Sequence, residues 1–335
     1  MKNRMLSLML ALALAAGLAV PAFAALDSPY GLYVAGLPVT AANAADVFGD
    51  GTVRYDDAAN TLYLTDATIQ GGEDHGINYT GTGHLKIHGT GTNSITSDQV
   101  AIHQRNGALT LTGSFDRIAG TVGGIAGFYM ELDVTIPADT YIRALSGDLL
   151  AGRLIMAGTI DTAGRISCIT GEISGTIGVI RPLAKPGTQM DGIRGDDLRI
   201  SGTIGLIDTP GNDTGDSAYG IWADNSLQIT GAVEIRSCQF AIRCAKRNST
   251  ILTLPEGYSM RWGIPDDQSD IPHDLLYKDG EPAASVVLER VDPPVAAIPM
   301  YWPALNQAPG GTVKASPLAG SEGAAMNLLV HPAVR

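Results

Sequence analysis

Six aspartates form the chain's densest run of potential chemistry: Asp191, Asp196, Asp197, Asp208, Asp213 and Asp216, with Asn212 among them. Carboxylates suit a hard divalent cation, because calcium takes six to eight oxygen ligands at close range. Acids so far apart in sequence serve one ion only where the fold stacks their loops; calcium is the candidate cofactor on that condition, and a solvated acidic loop surface is the alternative. Asp196-Asp197 also fits the acid and base of glycoside hydrolysis, and Arg194 or Arg199 would supply the base for elimination beside calcium. The Gly-His-Gly and Arg-Ile-Lys companions of such aspartates are missing, and Asp74-His75-Gly76 and Gly83-His84-Leu85 are partial echoes only. An arginine among acids is more often a surface ion pair, so the chemistry leans away from catalysis.

Tyr219 and Trp222 flank the acid-rich stretch. An open aromatic ring stacks on the apolar face of a sugar, so this pair is the expected carbohydrate platform. Tyr258 and Trp262 read instead as packing at the C-terminal end. His84 and His88, on one strand face, stand ~13 Å apart and cannot share a metal. Of the three cysteines, Cys238 and Cys244 are close enough for a disulfide and Cys168 is left over, though burial as small hydrophobes fits all three.

Lys and Arg number 22 against 34 Asp and Glu, a net charge of −12. Nucleic acid and anionic membrane surfaces are disfavoured as partners, since both require a basic patch. Met1 to Ala24 runs from Lys2 and Arg4 through an apolar stretch to Ala22-Phe23-Ala24, the order of a cleavable secretory signal. Its removal takes both cations with it, and an extracellular location without a membrane span in the mature chain is expected.

These groups must be positioned by the repeats. Ile173-Ser-Gly-Thr-Ile-Gly-Val-Ile180 recurs almost letter for letter as Ile200-Ser-Gly-Thr-Ile-Gly-Leu-Ile207, with weaker copies around Gly89, Gly113, Gly158 and Gly231. Spacings of roughly 17 to 29 residues suit the coils of a solenoid. Two-residue alternations such as Leu85-x-Ile87, Leu109-x-Leu111, Leu198-x-Ile200, Leu227-x-Ile229 and Leu252-x-Leu254 read as strands, aliphatic on one face. A second beat of a small residue followed by isoleucine, as in Gly76-Ile77, Ala101-Ile102 and Gly220-Ile221, marks a tight corner. The expected fold is therefore all-β, a parallel β-helix, ranked above a β-sandwich whose strands have no reason to repeat one octapeptide.

Strands at Tyr30–Gly36, Thr52–Asp56 and Thr61–Thr65 precede the coils, the last two joined by the turn Asp57–Asn60, and read as a hairpin cap. The run Tyr30-x-Leu32-x-Val34-x-Gly36-x-x-Val39-Thr40-x-x-Asn43-x-x-Asp46-Val47, followed by Gly49-Asp50-Gly51-Thr52-Val53-x-Tyr55-Asp56, resembles the opening of secreted and cell-surface carbohydrate-binding-domain-like proteins of Gram-positive anaerobes. The resemblance implies a right-handed parallel β-helix after the opening and carries over no catalytic residues. Gly310-Gly-Thr-Val-Lys-Ala-Ser-Pro317 through Val330-His-Pro332 is similar to the first half of internalin-type bacterial β-repeats.

The expected organisation is a signal over 1–24, a β cap over 25–70, a parallel β-helix over 71–291, a Pro/Gly-rich linker over 292–309 and a β-repeat-like tail over 310–335. The expected function is non-catalytic binding of extracellular polysaccharide or cell-surface glycan, or adhesion. The alternatives are a calcium-dependent lyase or hydrolase of uronate-rich glycans and a structural spacer with a protein partner.

Overall fold

The computed structural model describes residues 27–127, 130–183, 191–209, 218–237, 239–247, 249–262 and 273–291. The leader, linker and tail, together with Asn212, Asp213, Asp216 and Cys238, lie outside the described residues.

Among the described residues every regular element is a strand, and the coil strands stack in parallel as a β-solenoid of about seven turns. Each coil contributes three segments. An opening segment such as Val100–Gln104 pairs with Ile77–Tyr79 below and Gly123–Ala126 above. A middle segment, the first half of Gly107–Gly120, lies between His84–Thr90 and Leu132–Ile136. A closing segment, the second half of the same strand, lies between Ser94–Ser97 and Tyr141–Ser146. Opening and middle segments share one sheet, while closing segments form the other.

In-register stacking turns the sequence alternation into columns. In the opening segments Ile77, Ile102, Ile125, Leu149, Ile166, Ile193, Ile221 and Ile242 follow one another rung by rung, all buried. Met156, Ile173, Ile200 and Ile229 do the same in the middle segments. Each such side chain contributes ~1.5–3 kcal/mol when fully buried, and only the adjacent rung supplies the burial.

The repeated glycines answer to the same stacking. A Cβ on Gly202 would lie 2.0 Å from the carbonyl oxygen of Gly175, and one on Gly175 would lie 2.0 Å from that of Gly158. Backbone passes directly over backbone there, so no side chain fits. The small residue before each opening isoleucine meets the closing sheet from within: a Cβ on Gly220 would stand 2.2 Å from Ile235 Cγ2.

The hairpin cap is present. Val53–Asp56 and Thr61–Thr65 pair antiparallel, and Leu32–Val34 lies antiparallel on Ile77–Tyr79. Thr61–Thr65 and Thr68–Gln70 already stack in parallel on the strands above them, so the solenoid starts at Thr61, ahead of the expected boundary at 71. At the far end Ser285–Leu288 closes the stack antiparallel to Ala232–Ser237. The Leu252-x-Leu254 alternation forms no strand; the short strand there is Thr250–Ile251, and both leucines pack partly buried against the core.

Candidate functional site: the outer face of the closing sheet

Closing segments follow an inward-outward-outward-inward rule. Phe115 and Ile118, Ile142 and Leu145, Ile177 and Ile180 are buried, leaving two outward residues between each pair and one on either side. Stacking lines the outward residues up. Ser114, Tyr141, Thr159, Thr176 and Thr203 form a hydroxyl-bearing column on five successive rungs, spaced ~4.8 Å apart. Gln70, Thr96, Ala119 and Ser146 form a second column at the other end of the strands.

Tyr141 is 41% exposed, an aromatic ring open on this face. Its phenol donates to Asp161 Oδ2 on the next coil, and that carboxylate is the main reason the phenol holds its proton above the ordinary tyrosine range. Beside it Arg143 donates to both oxygens of Asp116, at 2.5 and 2.8 Å. The fork holds the Asp116 carboxyl below the usual range.

The second column floors a groove of about 790 Å³, lined also by Asp98, Arg117, Thr121 and Leu183. A smaller pocket of about 170 Å³ shares Ser146 and Leu183 and extends toward Val179 and Arg181. Tyr141 and Ser146 begin and end one strand, ~16 Å apart, so ring and groove belong to one surface. Tyr141 was not among the residues expected at a site. Its signal was the repeat alignment, because Tyr141-Ile142 stands where other coils carry Thr159-Ile160, Thr176-Ile177 and Thr203-Ile204.

The expected platform is a different object. Tyr219 is fully buried and Trp222 is only 8% exposed. Both belong to a small outer core with Phe240, Leu275 and Tyr277, in which Tyr219 stacks on Phe240 at 5.3 Å and meets Trp222 edge-on at 4.9 Å. In register, Arg194 lies on the coil before Trp222 and Arg243 on the coil after it. Their guanidinium carbons stand 4.1 and 3.9 Å from the Trp222 ring centroid. The indole N–H donates to Asp224 Oδ1 at 2.7 Å. A ring held between two cations and sealed by neighbours is not an open sugar platform, and that expectation is corrected.

Nor do the acids converge. Asp191 is fully buried, neither oxygen is hydrogen-bonded among the described residues, and Arg194 stands 3.9 Å away. Burial pushes its carboxyl up to about 7 against the opposing pull of Arg194, Arg165 and Arg243. Asp196 is exposed at a register shift between coils, with its carboxyl raised by partial burial and then by Asp224 and Asp197. Asp197 accepts from Asn225 Nδ2 at 2.7 Å and Ser226 Oγ at 2.5 Å. Asp208 sits on the other sheet, paired with Arg181 at 2.7 Å. Among the described residues no group of three or more His, Cys, Asp or Glu could hold a metal ion. Asp191, Asp196, Asp197 and Asp208 therefore do not form the shared calcium site expected of them, because one faces inward and the others are spread over a bulge and a second sheet.

Arg194 is engaged with Trp222, Asp191 and Asp224, not placed as a base. Cys168 and Cys244 are free and buried, and Cys238, the other half of the expected pairing, lies outside the described residues. Desolvation pushes the Cys168 thiol up to about 12 and leaves it inert. His84 Nε2 and His88 Nδ1 each meet a threonine on the next coil, Thr110 and Thr112, at 2.7 and 2.9 Å. No described helix is long and apolar enough to cross a membrane. No protein-family model, curated protein or solved structure matches this chain.

Proposed function

We propose that this chain is an exported, non-catalytic solenoid that binds an extended extracellular carbohydrate on the outer face of its closing sheet. The observation that carries the reading is the placement of the exposed Tyr141 ring and the polar groove at the two ends of one strand. A ring face stacks on the apolar side of a pyranose, and the Ser, Thr and Gln columns offer donors and acceptors to its hydroxyls. The stacked backbone fixes these groups before any ligand arrives, which lowers the ordering cost of binding. Export is supported by the leader-like Met1–Ala24 run. No role falls to calcium in this reading.

Calorimetric titration against a panel of extracellular polysaccharides tests it. Wild type binds at least one member, and Tyr141→Ala and Ser146→Trp, the latter filling the groove, each weaken that binding tenfold or more without moving the melting temperature. Undiminished affinity in both variants would refute the assignment.

A further inference from the structure

We infer that the groove beside Arg117 holds a carboxylate of the bound glycan, so that the preferred chain carries isolated uronic acid units among neutral sugars. This rests on the carbohydrate reading above and names its substrate class. Arg117 is the cation lining the groove, and it is exposed. Asp116, its sequence neighbour, gives both oxygens to Arg143, so Arg117 acts on that carboxylate through charge alone, and its own N–H groups make no side-chain hydrogen bond or ion pair among the described residues. An unengaged guanidinium offers a planar fork of donors that matches a carboxylate with two parallel hydrogen bonds.

Charge sets the density of acid the groove accepts. The chain carries −12 overall, which repels a polymer charged at every unit. Asp98 lines the same groove and repels a second carboxylate close to the first. The remaining floor, Gln70, Thr96 and Ser146, is neutral and suited to hydroxyls. One cation among neutral hydrogen-bonding groups and an acid fits a chain in which neutral sugars separate the carboxylates.

Hexasaccharides alternating uronic acid and neutral sugar test this, in a glucuronate/N-acetylglucosamine and a galacturonate/rhamnose series, each also with its carboxyls reduced to alcohols. Wild type binds at least one acidic form about tenfold more tightly than its reduced form. Arg117→Gln abolishes that preference, Arg117→Lys restores part of it, and Tyr141→Ala weakens both forms equally. Equal affinity for acidic and reduced forms, with Tyr141 still required, overturns the carboxylate and leaves the carbohydrate reading standing. Equal affinity for a sulfated neutral hexasaccharide also overturns it, in favour of a general anion site. Failure of wild type to bind any member while it still binds a polysaccharide of the calorimetric panel overturns the uronate assignment alone, and failure in both experiments overturns the carbohydrate reading with it.

Discussion

Tyr141 and Trp222 both point outward from strands of the same solenoid, yet one is 41% exposed and the other 8%. Around Tyr141 the adjacent rungs place short side chains, Ser114 below and Thr159 above, which leave the ring uncovered. Around Trp222 they place Arg194 and Arg243, long enough to lie over both sides of the indole, and Tyr219 and Phe240 complete the seal. Exposure in a stacked fold is thus set first by the residue one coil away, with same-strand neighbours such as Tyr219 adding to the cover. The surface with the more aromatic sequence became a second core, and the plainer one stayed open.

Truncating the two rings separates these roles. Trp222→Ala opens a cavity and takes the ring from between two arginines, and should cost ~3–5 kcal/mol with a large fall in melting temperature. Tyr141→Ala, on a solvated face, should stay within ~0.5 kcal/mol of wild type while losing ligand. Thermal denaturation of both reads the contrast; comparable losses in the two would erase it.

A smaller, pH-dependent effect is expected at Asp191, which flanks the sealed region. Burial raises its folded pKa to about 7 from the ordinary carboxylate value of 3.8, so its neutral form suits the folded chain. Its contribution is present in full below pH ~4 and is lost as pH rises through about 7. Asp191→Asn should therefore be more stable than wild type at pH 8, by on the order of a few kcal/mol, and nearly equal to it at pH 4. Melting curves across that range check this. A variant less stable at pH 8 would mean that Arg194, Arg165 and Arg243 hold the carboxylate charged.

Much of the fold was legible because stacking leaves periodic marks. Leu85, Ile87, Leu198 and Ile200 alternate as the core requires, and ISGTIG recurs because Gly175 and Gly202 sit where the backbone of the adjacent coil touches. The hairpin cap was readable from its turn and flanking alternation. The site was not, because sequence proximity grouped Tyr219 and Trp222 with Asp191, Asp196 and Asp197, whereas coil register decided which way each faced. Asp191 lies just before its strand begins and turns into the wall, while Asp196 falls on a register shift and turns out. Arg117 gave no local signal, since its distinction is that Asp116 is already taken by a residue on the next coil.

Hydrogen exchange with and without the tightest-binding hexasaccharide addresses the central claim directly. Binding on the closing sheet predicts slowed exchange in Ser94–Ser97, the Ser114–Gly120 half of Gly107–Gly120, and Tyr141–Ser146, with Tyr219–Ile229 unchanged. Protection confined to Tyr219–Ile229 and Phe240–Cys244 would return the ligand to the sealed aromatic region and contradict the assignment.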